Sequence, residues 1–280
     1  MKNLRQRMTE DMKLMGLTPG TQATYPEAVK ALARHYSRRP DEITQEQVRD
    51  YLLYLIEPKG YAKSTYKVYL SAIKFLYLNT LDRQWRFLPL ARVNPERKLP
   101  IVLSREKVWS LLDLVRRDKP RMSLTLMYTC GLRVSEAVHL RPQDIDSQRM
   151  VVWVRKGKDG KDRSVPLPNY TLAQLRDYWL KYRPKKWLFP SEQSTSAITK
   201  SCVQRCLTAT LRRSHIRKNV NCHTLRHSYA THLIEAGVHL RMIQSLLGHK
   251  SLSSTFIYIH LSQSTKVDVQ TKINRLMRRD

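Results

Sequence analysis

The sequence is poor in cysteine and has no long apolar stretch, and both absences restrict the classes of protein to which it can belong. Four of its 280 residues are cysteines, and no two of them form a Cys-x-x-Cys pair. We therefore expect a protein of a reducing cytoplasm and no disulfide-stabilised scaffold. No run of about 18 apolar residues is present to cross a membrane. No apolar stretch follows the N-terminal residues, so we expect no signal peptide.

Acidic residues are also scarce relative to basic ones. The chain holds 51 Lys and Arg against 23 Asp and Glu, a formal net charge of +28. Residues 1–99 have a net charge of +8, and residues 100–280 have a net charge of +20. Because 41% of the residues are hydrophobic, the chain can bury a core. An excess of positive charge in such a protein predicts a polyanionic partner, although a solvated basic surface or a ribosome-associated protein has the same composition.

Residues 1–90 have the pattern of an all-helical domain. One helix is predicted to begin near Thr21, a second follows the capping box Thr44-Gln-Glu-Gln47, and Ser64 is the expected cap of a third. We expect the aromatic residues here to lie in the core and not to stack on DNA. The apolar positions with helical spacing are Tyr25, Val29, Leu32 and Ala33, then Val48, Tyr51, Leu52 and Leu55, then Tyr69, Ile73, Leu76 and Tyr77.

Residues 91–103 lack periodicity and contain two prolines, which predicts a basic linker before a second domain that starts at Ser104. This domain is predicted to be mostly α with a small antiparallel β-sheet. Its strands lie near 150–154 and 163–167, and Asp159-Gly160 forms the turn of their hairpin. The predicted helices lie near 108–115, 124–130 (ended by Gly131), 171–183, 199–213, 223–236, 239–247 and 252–259, and a weakly amphipathic helix lies within 265–280.

A histidine and an arginine near the C-terminus have the chemistry needed at a phosphodiester. His223 and Arg226 are three residues apart in a predicted helix, so their side chains share a face. An arginine can hold two phosphate oxygens, and a histidine beside it can transfer protons. Alone, this pair is far more often structural. We assign His227 and His232, on the same helix, to the support of the fold or of neighbouring side chains.

Three further segments complete a pattern across the second domain. Gly131-Leu-Arg133-Val-Ser-Glu136 lies upstream, where the simpler interpretation is a surface ion pair between Arg133 and Glu136. His249 follows Leu-Leu-Gly at a predicted helix end, and Tyr258 comes nine residues later. A single tyrosine among 14 is by default a core residue. Its hydroxyl has an ordinary pKa near 10, so it must be activated before it can act as a nucleophile.

Taken together, the order and spacing of these segments over residues 131–260 resemble the tyrosine recombinase (phage integrase) family. The resemblance implies that Arg133 and Arg226 hold the scissile phosphate and that Tyr258 attacks it. It further implies that His223 can take the tyrosine's proton. His249 would bond the phosphate and support the nucleophile, and Glu136 would support the fold without reacting.

A lysine in the hairpin completes the catalytic set that the resemblance implies. The segment Gly157-Lys-Asp-Gly-Lys-Asp-Arg163 is similar to the family's β-hairpin, and on that match Lys158 is the general acid that protonates the leaving 5′-hydroxyl. Family members usually have glycine at the position of Asp159. The register is therefore open by a residue or two, and Lys156 and Lys161 are alternatives.

The resemblance also implies an architecture and a reaction. A helical, SAM-like core-binding domain (1–90) and a catalytic domain (104–264) would form a C-shaped clamp on double-stranded DNA, and residues 265–280 would dock on a neighbouring subunit. A homotetramer would act on an inverted-repeat recombination site. The chemistry needs no metal, ATP or other cofactor, because a 3′-phosphotyrosine stores the phosphodiester energy. The expected location is the bacterial nucleoid in the cytoplasm, with no membrane partner.

Several alternatives remain at this point. No long insertion precedes His223, whereas integron integrases would have one. We expect no arm-binding domain before residue 1, unlike in lambda-type integrases. A Xer-like or a transposon-encoded recombinase remains, and the N-terminal part favours a mobile element. A type IB topoisomerase and a non-catalytic basic DNA-binding protein are the competing functions. A third alternative is a zinc-binding protein, in which the metal ligands would be Cys202, Cys206, His215 and Cys222.

Overall fold

The computed structural model describes residues 3–57, 59–92, 99–155, 162–193, 195–249 and 251–259. The chain divides into two compact units, Met1–Lys98 and Leu99–Asp280. The boundary between them falls within the predicted linker. The fold class is confirmed: the described residues are mostly helical and contain one small antiparallel sheet. The predicted helix within 265–280 and the hairpin turn at Asp159-Gly160 lie outside the described residues.

The first unit is a helical domain. Its helices are α1 (Leu4–Leu14), α2 (Pro19–Tyr36), α3 (Gln45–Ile56), α4 (Lys63–Lys74), which continues into a π-helical turn (Phe75–Thr80), and α5 (Phe87–Leu90). The capping box before α3 is present, because Thr44 Oγ1 accepts from the Gln47 amide and Gln47 Oε1 accepts from the Thr44 amide. The core contains Met8, Met12, Leu32, Val48, Leu55, Ile73, Leu76 and Tyr77.

Two helix starts in this unit differ from the predictions. Helix α2 begins at Pro19, two residues before Thr21, because Thr18 is the cap and proline is well suited to the first helical position. Helix α4 begins at Lys63 after Ala62, so Ser64 is not its cap. The prediction that the aromatic residues lie in the core holds for Tyr51 and Tyr77, which are 3% and 0% exposed.

The second unit consists of helices and a small sheet. Its elements are α6 (Arg105–Asp113), α7 (Asp118–Thr129), α8 (Val134–Val138), β1 (Ile145–Asp146), β2 (Val151–Val154), β3 (Arg163–Pro166), α9 (Asn169–Tyr182), α10 (Lys200–Leu211), α11 (Cys222–Glu235), α12 (Leu240–Leu247) and α13 (Ser253–Phe256). The strands are antiparallel in the order β1-β2-β3, and Val154 pairs with Arg163. The short elements α8 and β1 were not predicted.

Helices α7 and α11 form the centre of the second unit. Helix α7 is buried on nearly all sides, and α11 packs against it. Two side chains of α11 also hold the chain just before α6. Ser228 Oγ accepts from the Leu103 amide at 3.0 Å, and His232 Nε2 lies 3.0 Å from the Leu103 carbonyl oxygen. Leu103, the last residue of the predicted linker, is therefore a buried part of this unit.

Candidate active site

Arg226 lies in the middle of the candidate site and is 3% exposed. Helix α11, which carries it, begins at the Asn221 cap, whose side chain accepts from the amides of His223 and Thr224. One guanidinium nitrogen donates to the Gly131 carbonyl at 2.6 Å, and the other donates to the Leu247 carbonyl. Burial, reinforced by the charge of Arg133, lowers the pKa of Arg226 to about 9. The side chain therefore remains cationic at neutral pH.

Arg133 follows a sharp turn between α7 and α8. Gly131 makes this turn with a φ of +63°, and a Cβ atom at this position would lie 2.5 Å from the Tyr229 ring. Arg133 donates to Glu136 Oε1 at 2.7 Å and to the Gly248 carbonyl at 3.2 Å. The turns at Gly131 and at the end of α12 are thus held by Arg133 and Arg226 together, and this brings two predicted phosphate ligands into one site.

Glu136 is the anionic centre of this arrangement. It accepts from Arg163 at 2.9 and 2.8 Å, and it lies 3.7 Å from Arg226 as well as bonding Arg133. Burial by itself would raise the pKa of Glu136, but the hydrogen bonds and charges of Arg163 and then Arg133 lower it to about 2. One carboxylate among three guanidinium groups leaves an excess of positive charge, which suits a phosphate anion.

Arg163 was not predicted as a site residue. It lies at the start of β3, and its Nε also donates to the Leu246 carbonyl at 2.9 Å, so it links the sheet to α12. The only signal in the sequence was its place at the end of the hairpin segment that resembles the family. Its two partners are 27 and 83 residues away, and no local pattern encodes such contacts.

Tyr258 follows α13 and is 2% exposed. It packs with Ala230, Ile243 and Leu247. Its hydroxyl lies 2.9 Å from His227 Nδ1. Burial raises the pKa of Tyr258, while the charges of Arg226 and Arg133 act in the opposite direction. His227 therefore contacts the predicted nucleophile directly. The sequence had predicted only that it supports the fold or neighbouring side chains.

His223 occupies the first turn of α11, one turn before His227, and their ring centroids are 6.3 Å apart. Its side chain is exposed. Partial desolvation of the ring, together with the charges of Arg226 and Arg133, lowers the pKa of His223. It is a neutral imidazole beside both arginines, which is the state needed for proton transfer at neutral pH.

His249 lies directly after α12, where Gly248 ends the helix with a φ of +61°. Its Nδ1 is 3.0 Å from Thr255 Oγ1, and its ring lies 6.3 Å from that of Tyr258 with nearly parallel planes. Burial, with the charges of Arg226 and Arg133, lowers the pKa of His249 to about 4. His249 thus lies in the same site as the predicted nucleophile and the two arginines.

The structure brings together five of the six predicted site residues: Arg133, His223, Arg226, His249 and Tyr258. The sixth, Lys158, and its alternatives Lys156 and Lys161 lie outside the described residues. In the described part of the chain, no group of three or more His, Cys, Asp or Glu side chains is arranged to hold a metal ion. Cys202, Cys206 and Cys222, on which the zinc alternative rested, are free thiols.

None of the described helices is long and apolar enough to span a membrane.

Comparison with known families gives two matches that cover most of the chain. Residues 102–265 match the model of the phage integrase family. Residues 4–86 match a phage integrase N-terminal SAM-like domain. A Sinorhizobium fredii protein that carries the name integrase/recombinase is 43% identical over 94% of this chain and 85% of its own length. A tyrosine recombinase of Thermosipho africanus is 32% identical over 90% of this chain and 93% of its own.

Solved structures have the same fold. A lambda integrase dimer bound to a core site superposes with a TM-score of 0.74 and 17% identity, over 91% of this chain and 75% of that chain. The Tn1549 transposon integrase in complex with transposon right-end DNA superposes with a TM-score of 0.69 and 16% identity, over 99% of this chain and 100% of that chain. The matches confirm the resemblance seen in the sequence: this chain belongs to the phage integrase family and is a tyrosine recombinase, an enzyme that breaks and rejoins DNA strands.

Proposed function

We propose that this recombinase cleaves DNA through a covalent 3′-phosphotyrosine intermediate in which Tyr258 is the nucleophile. The observation that carries the proposal is the position of the Tyr258 hydroxyl. It is hydrogen-bonded to the neutral imidazole of His227, and the charges of Arg226 and Arg133 act on it. Cationic groups near a phenol favour its ionised form, and a histidine at hydrogen-bond distance can take its proton.

In the proposed reaction, Tyr258 Oη attacks phosphorus in line and a bond forms between them. The bond from phosphorus to the 5′-oxygen breaks, and that oxygen takes a proton from Lys158 or from its alternatives Lys156 and Lys161. Arg133 and Arg226 stabilise the charge on the equatorial oxygens, the role that metal ions have in many phosphoryl-transfer enzymes. A 5′-hydroxyl from a partner strand reverses the step. No cofactor is required, since the phosphotyrosine retains the phosphodiester energy.

The proposed roles of the other site residues follow from their positions. His223 is exposed beside both arginines and is available to the phosphate and to proton transfer. His249 is held by Thr255 against the Tyr258 ring, where it supports the nucleophile and bonds the phosphate. Glu136 and Arg163 orient the two arginines and do not react.

We further propose that the partner is double-stranded DNA with an inverted-repeat site, bound by a homotetramer. The match of residues 4–86 to a SAM-like domain supports a core-binding role for the first unit, and the match of residues 102–265 supports a catalytic role for the second. Residues 265–280 would then serve subunit exchange. The net charge of +28 supports the DNA partner.

A role in a mobile element is the proposed biological setting. The 43% identity to a protein named integrase/recombinase favours it, and residues 82–397 of a transposon integrase have the same fold. A housekeeping, Xer-like role is the alternative, which a defined chromosomal target would support.

Covalent trapping tests the reaction. Purified protein is incubated in EDTA with a library of nicked duplexes, and the products are separated on a denaturing gel. We expect an SDS-resistant protein–DNA adduct that is lost in Tyr258→Phe and kept in Tyr229→Phe, a matched variant because Tyr229 packs against the same apolar cluster. Sequencing the trapped DNA identifies the site. Binding without an adduct would contradict the proposal, and site-independent plasmid relaxation would indicate a topoisomerase.

A further inference from the structure

The hydroxyl of Tyr258 and the ring of His227 form a contact that the sequence did not predict. His227 lies on α11 and Tyr258 follows α13, 31 residues later, and tertiary packing brings Nδ1 and Oη to 2.9 Å. Their ring centroids are 5.6 Å apart. His223, the histidine favoured by the family resemblance, lies one helical turn away on the exposed side of the site.

Both groups that share this hydrogen bond are uncharged in the free enzyme. Burial, with the charges of His223 and Arg226, lowers the pKa of His227 to about 4, so the imidazole is neutral at pH 7. Burial raises the pKa of Tyr258, so the phenol keeps its proton in the free enzyme. In the tautomer whose Nε2 carries the ring proton, the phenol donates this hydrogen bond and His227 Nδ1 accepts it.

We propose that His227 is a catalytic residue that accepts the Tyr258 proton when the tyrosine attacks DNA. This inference rests on the proposed function. As the bond between Oη and phosphorus forms, the phenolic proton moves to His227 Nδ1 and the imidazole becomes a cation. The 5′-oxygen leaves with a proton from the separate general acid. In the rejoining step His227 returns the proton to Oη, so protons balance over the cycle.

DNA binding explains how the weakly basic His227 can accept the Tyr258 proton. The groups that face His227 are His223 and Arg226 on its own helix, and Tyr258 and His249 from the segments packed against it. Burial is the main cause of the low pKa of His227, and nearby positive charge adds to it. A phosphate anion held by Arg226 offsets the contribution from positive charge. The imidazole therefore becomes more basic when substrate is present. Proton transfer from Tyr258 therefore becomes favourable only when a DNA phosphate is bound in the site.

Removal of the imidazole, followed by its replacement from solution, tests the proposal. The substrate is the nicked duplex identified by trapping, and the readout is the single-turnover rate of adduct formation. We expect His227→Ala to lower this rate by roughly 10²–10⁴-fold while DNA binding is retained. Added imidazole should restore it in part, and more basic substituted imidazoles should restore it more. His215→Ala, an exposed histidine in the same unit, should cleave at the wild-type rate with no response to imidazole.

Two further comparisons separate a base from a structural group and from the general acid. His227→Asn keeps a polar atom near the Nδ1 position but cannot take up the proton, so we expect a folded protein that binds DNA and cleaves slowly. A substrate with sulfur at the 5′-bridging position needs no general acid. It should rescue Lys158→Ala and leave His227→Ala slow.

Two results would overturn the inference. One is wild-type cleavage by His227→Ala and His227→Asn, and the other is a loss that imidazole does not restore. Either would leave the proposed function intact, provided that the Tyr258-dependent adduct forms. Absence of that adduct from the wild-type protein would instead refute the proposed function.

Discussion

Glu136 is a single carboxylate that determines the positions of three guanidinium groups. Its hydrogen bonds to Arg133 and Arg163 and its short distance to Arg226 join α8, β3 and α11. Removing the carboxylate would leave three cations near one another without compensation. The site therefore depends on a residue that takes no part in the proposed chemistry.

The low pKa of Glu136 has a consequence for stability. The pKa is about 2 in the folded protein, below its ordinary value, so ionised Glu136 stabilises the fold above the unfolded pKa. This contribution is lost as pH falls towards 2. At pH 7 we expect Glu136→Gln to lower the free energy of unfolding by about 3 kcal/mol. In urea titrations the difference from wild type should shrink by pH 3, while the exposed control Glu192→Gln should change little at either pH.

Gly131 offers a test in which two effects of a side chain can be separated. A Cβ atom here would meet the Tyr229 ring at 2.5 Å and would also be strained by the φ of +63°. Gly16 has a similar φ of +68° and open space around it. We expect Gly16→Ala to cost about 1 kcal/mol in unfolding free energy. Gly131→Ala should cost about 1–3 kcal/mol more, because of overpacking, and should slow adduct formation, since Arg133 is two residues away.

Helix α11 carries His223, Arg226 and His227 on its first half, so its position determines the geometry of the site. Its N-terminal end is fixed by the Asn221 cap. Its second half is fixed by His232, whose Nδ1 lies 3.0 Å from the Tyr128 hydroxyl on α7 and whose Nε2 lies 3.0 Å from the Leu103 carbonyl oxygen. The assignment of His232 to the support of the fold agrees with these contacts.

His232→Leu should therefore act on the helix as a whole. It leaves a buried hydroxyl and a buried carbonyl without partners, at roughly 1–3 kcal/mol each. We expect a lower unfolding midpoint in urea and a slower cleavage rate. Tyr128→Phe removes only one of the two contacts and should cost about 1 kcal/mol. Equal stability of His232→Leu and wild type would show that these two hydrogen bonds do not hold α11.

The charge of the whole chain should govern its binding to DNA. Both parts of the sequence are basic, with net charges of +8 and +20. For a protein that contacts about 6–10 phosphates, affinity for a duplex of unrelated sequence should fall by roughly 10³–10⁵ between 50 and 200 mM salt. Fluorescence anisotropy with such a duplex measures this slope. Arg226→Lys should leave the slope nearly unchanged, because a single phosphate contact is altered, and a salt-independent affinity would contradict an electrostatic interface.

Local patterns in the sequence accounted for much of the fold. The capping box at Thr44, the helix stop at Gly131 and the apolar run of β2 all depend on residues within a few positions of one another, so they could be recognised without tertiary information. Helix α8 has only five residues and β1 only two. Elements this short have no periodicity to detect, and they form because the surrounding core holds them.

In the active site, too, some features follow from local sequence patterns and others from tertiary packing. The sequence by itself determined the family, and the order and spacing of Arg133, His223, Arg226, His249 and Tyr258 led to it, because these residues lie in short motifs. Tertiary structure alone decided which side chain contacts the tyrosine hydroxyl and which cation neutralises Glu136. His227 and Arg163 reach their partners across 31 and 27 residues, through packing of α11, α13, β3 and α8. Contacts over such distances depend on the assembled core and leave no mark in a local pattern.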